Sequence, residues 1–301
     1  MRNLFFDAFK EMMKENESLF FLTSDTGYNL VEPLLENHPD RALNIGVAEA
    51  NMIGVASGLA NIGFIPVCYA ITNFISERCF EQIRNDLCYH NYQSLILGTS
   101  TGFDNAILGS THHVLDDIGV LKTLPNINIY SPSGISSLTL IVKEAMAYKG
   151  PSYIRITKGG IEEERNIDSP NHFLVKSDSS MLVISHGKMT ENALHAHSIS
   201  PIFSIFAMDR IKPLQNEVLD NLFKSYETII VIEDNFSSGL YNSICQWSIE
   251  ERSEHHNIIS FSVDHKYDST IGDSLYLDHK EDLSPKKISE RIVNIQKEIG
   301  K

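Results

Sequence analysis

Residues 44–64 read NIGVAEANMIGVASGLANIGF. The spacing predicts a helix over 47–61 with little bulk on several sides, built from Ala48, Ala50, Gly54, Ala56, Ser57, Gly58 and Ala60. Glycine costs about 1 kcal/mol against alanine inside a helix, so Gly54 and Gly58 imply close approach of another backbone or a ligand. One carboxylate, Glu49, stands in this apolar stretch. Two readings fit it. An acid in the first turn favours the helix dipole. A buried carboxyl, costly unless paired or used, is also placed to share a proton with a ligand nitrogen.

Outward from this helix, short runs rich in Val, Ile and Phe alternate with longer helical patterns. Strands are predicted at 19–24, 65–70, 94–97, 127–130 and 153–156, with helices over 76–88 and 134–148. Such alternation implies a mostly parallel sheet with helices on both faces. The N-terminal MRNLFFDAFKEMMKEN has apolar residues at helical spacing interrupted by Asp7, Lys10 and Glu11, which makes it an amphipathic helix and not a signal peptide. The polar stretch 158–179, KGGIEEERNIDSPNHFLVKSDS, reads as a connection, with its charge run solvated. A second series follows, with strands at 181–185, 202–206, 229–232 and 258–263 and helices over 190–197, 214–224, 239–252 and 285–298. The expectation is an α/β chain of two domains, each a mostly parallel sheet flanked by helices: 1–165, a linker at 166–179, and 180–301.

Composition narrows the function classes. The 301 residues carry 25 Lys+Arg against 39 Asp+Glu, a net charge of −14. With 42% hydrophobic and 21% charged residues, disorder, a collagen-like rod and a disulfide scaffold are excluded. Without Lys/Arg clusters, neither nucleic acid nor an anionic membrane suits as the main partner. No run of ~18 apolar residues is present to span a membrane. Cys68, Cys79, Cys88 and Cys245 are too irregularly spaced for a disulfide framework or a zinc site and read as buried thiols, which fits a reducing cytoplasm.

The 44–64 stretch does not stand alone. It continues as IPV and is followed by SERCFEQIRNDLCYHN, GSTHHVLDDIGVLKTLPNINIYSPS and GPSYIRITKG, then by MDRIKPL and VIEDNFSSGL. In this order and spacing, over nearly the whole chain, the sequence resembles transketolases and the related deoxyxylulose-phosphate synthases. The resemblance implies a thiamine-diphosphate pyrimidine-binding domain followed by a transketolase C-terminal-like domain. It implies that Glu49 hydrogen-bonds the aminopyrimidine ring nitrogen and favours the imino tautomer, whose exocyclic nitrogen removes the thiazolium C2 proton. The cofactor itself supplies the electron sink.

Other residues acquire expected roles the same way. The resemblance asks for an aromatic residue against the pyrimidine, for which YAITNFISER offers Phe74, with Tyr69 a poorer choice. Asp25, in the TSDTGY loop, is similar to an acidic position near the thiazolium, or is an ordinary turn residue. Arg78 is expected beside the cofactor. His112 matches the family histidine after Gly-x-Thr, implying contact with substrate oxygens; His113 is a second candidate, although adjacent residues in an extended chain cannot both face one site. Arg155, the one cation in an apolar strand, is expected on a substrate phosphate or other oxyanion, with Arg78 and Arg84 as alternatives. Asp116 and Asp117 are expected to order the loop.

The family holds the cofactor's diphosphate and a divalent metal with a Gly-Asp-Gly segment and a downstream Asn, and this chain has no such segment; GDS at 272–274 reads as a turn. The resemblance therefore implies the C-terminal half of a split transketolase. No metal ligand is assigned here, and Mg2+ or a similar ion belongs to a separate N-terminal subunit, in a heterotetramer of two copies of each chain. The Gly/Ala face of helix 47–61 is a candidate contact. The expected reaction is two-carbon ketol transfer from a ketose donor to an aldose acceptor, on phosphorylated or nucleotide-linked small sugars. Gly134 and Ser137, where relatives often carry acids, and a single glycine in VIEDNFSSGL point away from housekeeping substrates. The alternatives are a beta-type subunit of another thiamine-diphosphate enzyme (2-oxo-acid dehydrogenase or deoxyxylulose-phosphate-synthase-like) and a non-catalytic scaffold.

Overall fold

In the computed structural model, which describes residues 1–251, 256–267 and 269–299, the apolar runs form two sheets. The first six strands are β1 (Leu19–Thr23), β2 (Ala42–Asn44), β3 (Ile65–Ile71), β4 (Ser94–Thr99), β5 (Asn128–Tyr130) and β6 (Pro151–Ile156). Six more follow: β7 (Asn171–Val175), β8 (Met181–Ser185), β9 (Ser204–Met208), β10 (Arg210–Lys212), β11 (Thr228–Phe236) and β12 (Asn257–Val263). The first sheet has the order β10-β5-β6-β4-β3-β1-β2 and the second β12-β11-β8-β9-β7. Every pairing is parallel except at one edge of each sheet, where β10 runs antiparallel to β5 and β7 to β9. This is the expected pair of mostly parallel sheets flanked by helices.

The central strands β4, β6, β8 and β9 are buried at every position, as parallel strands covered on both faces must be. On one face of the first sheet, Phe5, Phe6 and Phe9 of the helix Arg2–Glu15 pack with Phe21 and Tyr69. On the other, Met52, Ile53 and Ala56 of the helix Glu49–Asn61 pack with Ile83 and Leu87. These layers hold the strands in register, so that Thr23 lies level with both Asn44 and Tyr69. The carboxyl ends of the parallel strands therefore open on one edge.

Three expectations need correction. The stretch 166–179 is not a plain linker, because Asn171–Val175 forms β7. As an edge strand β7 is only partly buried, and its apolar run Phe173–Val175 is short and preceded by polar Asn171 and His172, so it does not stand out from the polar stretch around it. The sequence boundary between the domains is also crossed: β10, from the second half, completes the first sheet. Its charges are held by partners distant in sequence, Arg210 by Glu144 and Lys212 by the carbonyls of Lys122 and Leu124. Finally, the helix predicted over 76–88 is three pieces: Thr72–Ser76, Phe80–Gln82 and a π-helical turn Ile83–Cys88. The widened turn is closed by the Tyr89 N–H on the Arg84 carbonyl, 3.0 Å, five residues back. Ser57 of the small-residue helix donates to the Asp86 carbonyl inside it, 3.0 Å.

Candidate functional site

Several sequence-selected residues meet at the carboxyl edge of the first sheet, where ligands collect in parallel α/β folds. After β1 the chain turns sharply at Asp25, whose φ of 54° is left-handed. Asn44, the last residue of β2, supports this turn. Its Oδ1 accepts from the Asp25 N–H (3.0 Å) and the Gly46 N–H (2.9 Å), while its amide donates to Asp25 Oδ1 (3.2 Å). Asp25 is thus a turn residue placed at the site's edge.

Glu49 is the first residue of its helix and is 2% exposed. Its position in the first turn and its burial hold together, so the two sequence readings are not exclusive. Ser24 Oγ donates to Glu49 Oε1 at 3.2 Å, and Arg78 Nη1 donates to Oε2 at 2.7 Å. The Arg78 guanidinium lies over the Phe74 ring, 4.4 Å from its centroid. Phe74 in turn meets the His112 ring edge to face, centroids 5.4 Å apart. His112 Nδ1 lies 3.0 Å from Thr111 Oγ1, and Asn73 Nδ2 donates to the Thr111 carbonyl at 2.7 Å. That bond ties the Phe74 helix to the histidine loop. Glu49, Arg78, Phe74 and His112, scattered over 64 positions of chain, form one continuous group, and Asp25 lies beside it, next in the chain to the Ser24 that bonds Glu49.

Burial pushes Cys79 up to about 12, with the Glu49 charge adding to the effect. Glu77 is raised to about 8 by burial and by the facing Asp116 carboxylate. It borders a cavity of about 160 Å3 shared with Asn73, Thr111, His113, Asp116 and Lys266.

Other candidates stand apart. Tyr69 is fully buried, its ring edge-on to Phe6 at 4.9 Å, and cannot stack on a ligand. His113 turns away from His112, packs edge-on to Phe103 at 5.1 Å, and places Nε2 3.4 Å from the Ala106 carbonyl. It borders the cavity but does not join the Phe74 group. Arg84 is exposed on the π-helical turn. Asp273, in the GDS turn, caps the helix Ser274–Lys280 by accepting from the Tyr276 N–H at 2.8 Å.

Arg155 is the chief correction. It is 1% exposed and its fork is already taken. Nε donates to Asp117 Oδ2 (3.0 Å), Nη1 to Asp234 Oδ1 (2.6 Å) and Nη2 to the Val114 carbonyl (3.1 Å). Asp117 also accepts from Tyr153 OH at 2.6 Å and Asn235 Nδ2 at 2.8 Å. Asp234 and Asn235 belong to β11, so this buried network joins the two sheets. It occupies all three guanidinium nitrogens and sets two carboxylates where a substrate oxyanion would have to approach. Gly102 fits against it: its φ is +52°, and an added Cβ would lie 2.1 Å from Asp234 Oδ2. Ser24, Asn44, Asn73 and Asp234 carried no sequence signal, since each acts on a partner distant in the chain.

Among the described residues no group of three or more His, Cys, Asp or Glu is placed to hold a metal ion, and no helix is long and apolar enough to cross a membrane.

Residues 1–162 match the family described as transketolase, pyrimidine binding domain. One of the subunits of the apulose-4-phosphate transketolase of Actinobacillus succinogenes is 28% identical over 260 residues, covering 83% of this chain and 84% of that protein. The 1-deoxy-D-xylulose-5-phosphate synthase of Cytophaga hutchinsonii is 28% identical over 260 residues, but those span only 40% of its length. Among solved structures, a split-gene transketolase described as an inactive beta4 tetramer superposes with a TM-score of 0.83 at 24% identity, covering 97% of this chain and 96% of that one.

Proposed function

Because the chain belongs to the transketolase pyrimidine-binding family, we propose that it is the pyrimidine-binding subunit of a split transketolase, working with a second polypeptide that holds the diphosphate and a divalent ion such as Mg2+. The coarse part of this reading, a transketolase-like subunit resembling one half of a larger enzyme, follows from the comparisons. The rest is the reading that the site supports best.

The single observation that carries it is Glu49: a buried carboxyl at the carboxyl edge of the sheet, steadied by Ser24, beside a half-buried Phe74 ring. These residues fit an aminopyrimidine, which needs a hydrogen-bonding acid for its ring nitrogen and an apolar face to lie on. Thiamine diphosphate, when bound, supplies the carbon nucleophile and the electron sink. The chain's own part is to hold a proton at Glu49 away from water, orient the ring on Phe74, and offer the His112 imidazole to substrate oxygens. Asp25 and Asn44 shape the rim of the site, where Asp25 would lie near the thiazolium of a bound cofactor. His112, rather than His113, is the substrate-facing histidine, because only its ring adjoins Phe74.

The need for a partner is supported by what the small-residue helix faces. A Cβ built on Gly54 or Gly58 meets nothing within 4 Å, so the close approach that such glycines permit is not made among the described residues. Exposed Val47 and Ile62 flank the same helix. We assign this face to the diphosphate-binding subunit, in an assembly of two copies of each chain located in the cytoplasm. The reaction proposed is two-carbon ketol transfer between a ketose and an aldose, phosphorylated or nucleotide-linked.

The test is reconstitution. The purified chain with thiamine diphosphate and Mg2+ should show no turnover, and mixing with a chain carrying the Gly-Asp-Gly segment should restore it. Turnover by this chain alone overturns the split reading. Condensation of a 2-oxo acid in place of ketol transfer would favour the deoxyxylulose-phosphate-synthase-like alternative, which the Cytophaga relative keeps in view.

A further inference from the structure

Arg78 makes the two contacts that the proposed pyrimidine site would offer its ligand. Its planar guanidinium lies 4.4 Å over the Phe74 ring, and its Nη1 is 2.7 Å from Glu49 Oε2. A flat group stacked on the aromatic ring, with a nitrogen against the buried acid, takes the two positions that an aminopyrimidine would take, although Arg78 donates to Glu49 where the neutral ring nitrogen would accept from it. We infer that Arg78 is an internal competitor for this site, and that its guanidinium must leave both Glu49 and Phe74 before the pyrimidine ring can settle. The inference rests on the function proposed above.

Two features suit a displaceable group. The Arg78 side chain is 49% exposed, so it has solvent to swing into, whereas Glu49 at 3% does not. Arg78 follows the short helix Thr72–Ser76 and precedes Phe80–Gln82, so its backbone lies between helical segments rather than within one. Withdrawal of Arg78 would thus open the ring face and release the acid together. Arg78 acts through Glu49 and Phe74, and is a positioning residue rather than a catalytic one.

The test uses this chain and the neutral pyrimidine half of the cofactor, 4-amino-5-hydroxymethyl-2-methylpyrimidine, titrated at millimolar concentration and followed by saturation-transfer NMR. Arg78→Ala should bind it roughly tenfold tighter than wild type, the scale of one partly exposed ion pair and one cation–π contact released together. Raising salt should tighten binding to wild type, by screening the ion pair, and leave Arg78→Ala unchanged. Glu49→Gln serves as the control that removes the ion pair from the other side and should abolish the salt effect. Equal or weaker binding by Arg78→Ala overturns the inference while leaving the proposed function standing. Failure of wild type and every variant to bind the pyrimidine overturns both.

Discussion

Replacing Arg155 by methionine should unfold the junction between the two sheets rather than weaken a substrate contact. Methionine keeps much of the volume and removes the charge. It leaves Asp117 and Asp234, whose side chains are 0% and 2% exposed, without the guanidinium that bonds both. Removing one partner of a buried ion pair costs about 3–5 kcal/mol. At a urea slope of about 3 kcal/mol/M, the midpoint should fall by roughly 1 M or more, read by far-UV circular dichroism. Arg155→Lys should recover only part, because one ammonium cannot span the three acceptors that the fork reaches. The pH dependence has a definite sign. Burial pushes Asp234 up, but Arg155 and His186 outweigh it and hold its carboxyl below the usual carboxylate range. A depressed carboxyl contributes stability that is present above its unfolded value and lost as pH falls through its folded one. The gap between wild type and Arg155→Met should therefore be full at neutral pH and narrow below about pH 4. A variant with an unchanged midpoint and a raised KM would refute this reasoning and return Arg155 to the substrate.

Glu49→Gln should lower ketol-transfer turnover of the reconstituted pair by at least about a hundredfold, with the thermal midpoint little changed; substantial residual activity would remove Glu49 from the proton path. Phe74→Ala should weaken thiamine diphosphate binding about threefold to tenfold by calorimetry on the reconstituted pair, the scale of one aromatic contact. Gly102→Ala forces a Cβ to within 2.1 Å of Asp234 Oδ2 at a left-handed φ and should cost about 2 kcal/mol in urea unfolding. Its effect should not add to that of Arg155→Met, since both act on one carboxylate.

The sequence alone carried the alternation of short apolar runs and amphipathic helices, because the periods of strand and helix are local properties of the chain. Two parallel sheets follow from that pattern, and the fully buried β4 and β6 were legible from their short apolar runs, in β6 despite the embedded Arg155. It also singled out Glu49, since a lone carboxylate in the run 44–64 needs a reason wherever it folds. Elements whose stability comes from neighbours distant in sequence were not legible. β7 and β10 are edge strands held by pairing and by Arg210–Glu144, and the widened turn at Ile83–Cys88 closes around Ser57. The same division runs through the site. Charge type is written in the sequence, but what a charge faces is decided by packing. Arg155 and Arg78 are both arginines near candidate ligand positions in the chain. Tertiary structure surrounds the first with two buried carboxylates and leaves the second half in solvent over Phe74, so one is fixed in place and the other has room to move.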